Sequence, residues 1–183
     1  MNLPNYITLF RILVVPVFII LVNLYTPAHS EFVSMATGIF LLAVLSDGLD
    51  GFIARKFNQK TKLGTFLDPF ADKLLLISAF IVIGLSPAFA IKPPFWVVFI
   101  IIFRDFLFIC GMIIIFFTTN TMRINPNMLG KLTTVLQMLT VFSLLHQWRY
   151  SPTIWTITII FTVLSAISYT TREIKFLNRH GHN

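Results

Sequence analysis

Between Asp47 and Asp72 the chain carries four aspartates, Asp47, Asp50, Asp68 and Asp72, out of only seven acidic residues in its whole length. On helices, positions 47 and 50 are three apart and positions 68 and 72 four apart, so each pair shares one face. A short turn between two helices makes them antiparallel and can bring those faces together. Four carboxylates meeting near a membrane repel one another unless a cation lies between them. Every candidate ligand in the stretch is an oxygen, with no His or Cys nearby, which points to hard Mg²⁺ or Mn²⁺ rather than zinc. Gly51, Ala54 and Gly64 are small and leave room for a bulky polar ligand beside the metal. Arg55 adds a fixed positive charge of the kind that holds phosphate.

Taken singly, each of these residues has an ordinary role. Small residues in a membrane helix serve close packing, and an aspartate near a helix end serves as a cap. The constellation is another matter, because burying four acids is costly and caps do not require i,i+3 and i,i+4 pairs. The stretch Asp47-Gly48-Leu49-Asp50-Gly51 lacks the alternating ligands of an EF-hand, and no Walker or dinucleotide glycine pattern occurs anywhere. The spacing Asp-x2-Asp-Gly-x2-Ala-Arg-x8-Gly-x3-Asp-x3-Asp, complete at Asp47, Asp50, Gly51, Ala54, Arg55, Gly64, Asp68 and Asp72, resembles the signature of CDP-alcohol phosphatidyltransferases. The opening Pro4-Asn5-x2-Thr8-x2-Arg11 is similar to the one common in that family beside its nucleotide site. Read locally, the same opening is a helix start with Pro4 in the first turn and Arg11 snorkelling to the headgroups.

The elements that must position these residues are apolar. Of 183 residues, 56% are hydrophobic and 11% charged, against roughly 25% charged in a soluble domain. The expected class is therefore an all-α integral membrane protein, a single domain over residues 1–183. Apolar runs predict six transmembrane helices near 6–26, 32–54, 66–86, 94–117, 129–147 and 152–171, each close to the roughly 20 residues a bilayer requires. The net charge of +7 suits positive cytoplasmic loops better than nucleic acid, because the cations are spread thinly. Arg11, Arg55, Lys56, Lys60, Lys62, Lys73, Arg123, Lys131, Arg172, Lys175 and Arg179 fall on one side, against Lys92 and Arg149 on the other. That asymmetry predicts both termini and the aspartates at the cytoplasmic face. No cleavable signal is expected, since a basic n-region and a small-residue cleavage site are missing. Cys110 has no second cysteine to pair with. His29, His146, His180 and His182 read as loop and tail residues, and the basic tail from Arg172 as resting on the anionic inner leaflet.

Two further places carry polar chemistry. Arg104 and Asp105 sit inside an apolar span, where ions pair and face a polar cavity; Arg104 is expected to face substrate, the alternative being a structural pair with Asp105 or with an aspartate of the cluster. Lys131 opens the fifth span on the cytoplasmic side, and Thr134 and Gln137, three apart, are expected to hydrogen-bond within the bundle.

A metal-loaded, cytoplasm-facing pocket in a lipid-facing bundle suits a pyrophosphate head with acyl tails and an in-line displacement at phosphorus. The resemblance implies that the substrate is CDP-diacylglycerol, with Asp47, Asp50, Asp68 and Asp72 as ligands of two Mg²⁺ or Mn²⁺ ions. It implies a nucleotide site lined by Asn5, Thr8, Asp50, Gly51, Ala54, Arg55, Gly64 and Asp68, with Asp72 as the base. It also implies a homodimer, in a bacterial inner membrane. For a glycerol-3-phosphate acceptor the resemblance leads one to expect Arg-Glu in the fourth span, an Arg eight residues later and Gly-Lys-x-Lys-Thr opening the fifth. Here Asp105, Met112 and Thr133 stand at the differing positions. Lys131, Thr134 and Gln137 look more like the pattern of CMP-forming cardiolipin synthases. The expected acceptor is therefore phosphatidylglycerol, with Arg104 and Lys131 on the acceptor side and glycerol-3-phosphate as the alternative. A cation or proton transporter using the aspartates is the rival class, disfavoured because they lie near one face rather than at the midplane.

Overall fold

In the computed structural model residues 3–56, 62–119 and 128–180 are described, with side chains for 9–46, 70–71, 73–111, 113 and 128–172. These residues form six α-helices: α1 Leu3–Leu24, α2 Glu31–Lys56, α3 Lys62–Leu85, α4 Phe95–Thr119, α5 Met128–Leu145 and α6 Ser151–His180. The apolar runs and the helices coincide to within a few residues at almost every end. The exception is α6, which continues nine residues past the expected position 171 to His180. Among the described residues, α5 and the Ser151–Arg172 part of α6 are long and apolar enough to cross a membrane. Large apolar side chains face outward throughout, Leu13 at 61%, Leu45 at 63% and Phe95 at 81% exposure, as contact with lipid demands.

Turn chemistry explains where the helices begin. Ser30 precedes Glu31, whose negative charge favours a helix N-terminus. Its carbonyl accepts the Ser34 N–H at 3.3 Å. Pro94 sits ahead of α4, and its carbonyl accepts from Val97 at 3.0 Å. Pro152 stands in the first turn of α6, where a missing N–H does no harm.

Two compact units emerge, residues 1–92 with 144–148, and residues 93–143 with 149–183. In the first, α1 packs along both α2 and α3. Its buried stripe is Arg11, Val14, Phe18 and Val22, and that of α2 is Val33, Ala36, Phe40 and Ala43. The spacing of three and four keeps each set on one face, and the alanines let the helix axes approach. Gln147 joins the segment 144–148 to this unit. Its backbone has φ of 50°, and its N–H closes the end of α5 on the Leu144 carbonyl at 3.1 Å. Its amide Oε1 accepts from the Ile91 N–H at 2.7 Å and Nε2 donates to the Ile91 carbonyl at 2.9 Å, pinning the connection between α3 and α4.

The second unit is held by a polar seam. Thr133 Oγ1 donates to the carbonyls of Leu129 and Phe161 at 2.8 and 3.1 Å. Thr140 and Thr158 share a hydroxyl bond of 2.8 Å, and Ser151 donates to the Ser143 carbonyl at 3.1 Å. Between α4 and α6, Tyr169 covers Gly111, where a Cβ would meet its hydroxyl at 2.5 Å. Gln137 corrects an expectation. Thr134 donates instead to the Gly130 carbonyl at 3.2 Å, and the wholly buried Gln137 amide has no hydrogen-bond partner among the described residues. Gln137→Leu should leave stability unchanged or raise it by about 1–2 kcal/mol, because an unpaired buried amide is costly. Denaturation in detergent measures this. A clear loss would show that the amide is satisfied, by water for instance.

Candidate active site

The buried stripe of α2 runs 33, 36, 40, 43, and its register continues through 47, 50 and 54. On α3, positions 68 and 72 precede Leu76, Ala79 and Ile83 on the buried face. Asp47, Asp50, Gly51, Ala54 and Arg55 thus lie in the second half of α2, and Gly64, Asp68 and Asp72 in the first half of α3. Asn5 and Thr8 lie in the first turns of α1. The side chains of all these residues lie outside those described, as do residues 57–61 between the two helices.

Three contacts set the helices level with one another. The rings of Phe18 and Phe40 lie 6.1 Å apart. Arg11 and Asp47 are each seven residues from that pair toward the same end, because α1 and α2 run antiparallel; that is about 10 Å along each axis. Ile19 and Asn23 of α1 line one groove of about 410 Å³ with Ser78, Ile81, Val82 and Leu85 of α3. Tyr25, just past α1, lies against Phe89, just past α3, at 4.8 Å. Eight residues back from Ile19 is Arg11, and eight back from Ile81 is Lys73. Positions 11, 47, 72 and 73 therefore share one level of the unit.

The sequence reading places Arg11 in the opening motif, or snorkelling, and Lys73 on the cytoplasmic flank, and foresees the burial of neither. Arg11 does not snorkel. It is 1% exposed, Lys73 is 5% exposed, and each has an interaction partner. Counting cations by side assigned both to the cytoplasmic flank but not to the interior. The available signal was register, since Arg11 heads the 11, 14, 18, 22 stripe.

In the second unit, Arg104 is paired structurally. Its Nη1 donates to Asp105 Oδ1 at 2.7 Å and its Nη2 to Ser165 Oγ at 2.8 Å. Its guanidinium also lies 5.8 Å from the Phe108 ring centroid. Lys131 is exposed near the start of α5. Thr133, read above as a missing acceptor cation, is wholly buried and bonded to α6. Its identity therefore reports helix packing. Among the described residues no three His, Cys, Asp or Glu gather as a metal site. Glu31, the first residue of α2 and one position ahead of the expected span 32–54, is engaged with His29 Nδ1 at 3.0 Å. A backbone hydrogen bond and this contact hold its carboxyl below the usual range.

By residue type alone the four aspartates offer only oxygen donors, the kind a hard divalent cation takes. A profile of the CDP-alcohol phosphatidyltransferase family matches residues 1–167. The CDP-diacylglycerol–glycerol-3-phosphate 3-phosphatidyltransferase of Wigglesworthia glossinidia brevipalpis is 38% identical, across 82% of this chain and 80% of that one. The Bacillus subtilis enzyme of the same name is 34% identical across 96% and 97%. The one from Haemophilus influenzae is 32% identical across 96% and 91%.

Proposed function

The chain belongs to the CDP-alcohol phosphatidyltransferase family, and from that premise we propose that it moves the phosphatidyl group of CDP-diacylglycerol onto glycerol-3-phosphate, releasing CMP. The reading is carried by the complete aspartate motif lying within the matched residues 1–167, at positions that continue the buried faces of α2 and α3. A transporter role for the aspartates is set aside by the membership. The phosphatidylglycerol acceptor expected from the sequence gives way to its alternative. The similar proteins named above use glycerol-3-phosphate by name, and Thr133 loses its force as a contrary signal.

In the proposed reaction the acceptor hydroxyl oxygen attacks the phosphorus that bears diacylglycerol. A P–O bond forms, the bond to the CMP phosphate breaks, and Asp72 takes the hydroxyl proton. Bound Mg²⁺ or Mn²⁺, held by Asp47, Asp50, Asp68 and Asp72, would neutralise charge on the phosphate oxygens. Arg55 holds donor phosphate, while Gly51, Ala54, Gly64, Asn5 and Thr8 shape the nucleotide site. Lys131 is exposed and has no ion pair among the described residues, which suits it to the acceptor phosphate. Six crossings, cytoplasmic termini, a cytoplasm-facing site in a bacterial inner membrane and a homodimer complete the proposal.

The test supplies purified protein with CDP-diacylglycerol, Mn²⁺ and either glycerol-3-phosphate or phosphatidylglycerol. CMP release at least about tenfold faster with glycerol-3-phosphate is expected, a difference of about 1.4 kcal/mol in transition-state binding. Faster release with phosphatidylglycerol would restore the cardiolipin reading.

A further inference from the structure

The charge inventory of the first unit is small. Its acids are Glu31, Asp47, Asp50, Asp68 and Asp72. Glu31 is engaged with His29 at the start of α2, sixteen residues before Asp47, or about 24 Å along the helix. Arg11 and Lys73 are nevertheless 1% and 5% exposed and partnered. A cation taken from water into an apolar bundle persists only beside compensating charge or dipoles. Within this unit the remaining acids are the four aspartates, and helix register puts positions 11 and 73 level with 47 and 72.

We propose that Arg11 and Lys73 are built-in counter-charges of the aspartate set: positioning residues that hold the carboxylates together when no metal is bound. This rests on the metal-dependent reading above and adds to it a reason why the pocket can assemble empty. Four acids gathered with no cation would drive α2 and α3 apart. Two fixed cations on α1 and α3 reduce that repulsion and tie α1 into the site. They also oppose an entering divalent ion, so their removal destabilises the empty protein while tightening metal binding. A packing role alone would leave metal affinity unchanged.

The experiment measures thermal midpoints in EDTA and in saturating Mn²⁺, and Mn²⁺ affinity from the loss of the free-ion EPR signal. Wild type is compared with Arg11→Met, Arg11→Lys, Lys73→Met and Lys73→Arg. In EDTA the two methionine variants should melt lower by on the order of 5–10 °C. Mn²⁺ should recover part of that loss, and their Mn²⁺ affinity should rise about tenfold. The charge-keeping variants should stay near wild type. If Arg11→Met fails to fold, Lys73→Met on the other helix carries the test. Equal losses with and without Mn²⁺, at unchanged affinity, would overturn the inference alone. Wild type that binds no Mn²⁺ would overturn the metal reading and this inference with it.

Discussion

Asp72→Asn is expected to release CMP at least about 10³-fold more slowly than wild type, within the range by which a positioned base accelerates proton transfer. The change is isosteric, so the variant should keep its helices. Asp72 is both ligand and base in the proposal, and added metal can offset only the loss of the ligand. Asp47→Asn weakens metal binding while leaving the base in place, so raising Mn²⁺ should recover part of its rate. Raising Mn²⁺ should do little for Asp72→Asn. The measurement is steady-state CMP release with glycerol-3-phosphate across a range of Mn²⁺ concentrations. A rate within tenfold of wild type would remove Asp72 from its role as base.

The helices were legible because lipid and protein core impose the same demand. A side chain facing either must be apolar, so apolar runs separated by Pro, Asn and charged residues mark the elements whichever way each face points. The aspartate motif was legible because carboxylates are rare in such a chain, and a fixed spacing of rare residues survives any choice of helix ends. Depth was not legible. A count of Lys and Arg by side scores Arg11 and Lys73 as surface anchors, and only the stripe 11, 14, 18, 22 beside Phe40 reveals burial. Polar residues that serve packing were misread for a related reason. Thr133 was weighed as an absent cation, yet its hydroxyl ties α5 to the Phe161 carbonyl. Gln147, which pins Ile91 through both amide atoms, sits 56 positions away along the chain, and no local pattern signals such a pair.

Arg104→Leu should cost about 3–5 kcal/mol, because it removes a 2.7 Å ion pair from a wholly buried Asp105. Asp105 is wholly buried and Arg104 is 8% exposed, so water replaces little of the lost interaction. The double change Arg104→Leu with Asp105→Leu removes both charges and should lie within about 2 kcal/mol of wild type. The coupling between the two sites should therefore be favourable by a few kcal/mol, far above the few tenths that separate independent positions. Denaturation midpoints of the four proteins give that cycle. The double variant also separates two roles that the single change confounds. With the fold restored, a rise of tenfold or more in KM for glycerol-3-phosphate, at unchanged KM for CDP-diacylglycerol, would mean that the guanidinium also serves the acceptor. An unchanged KM for both substrates would confine Arg104 to balancing Asp105 and holding α4 against α6 through Ser165. Acceptor recognition would then rest on Lys131, whose exchange for methionine should raise the glycerol-3-phosphate KM alone.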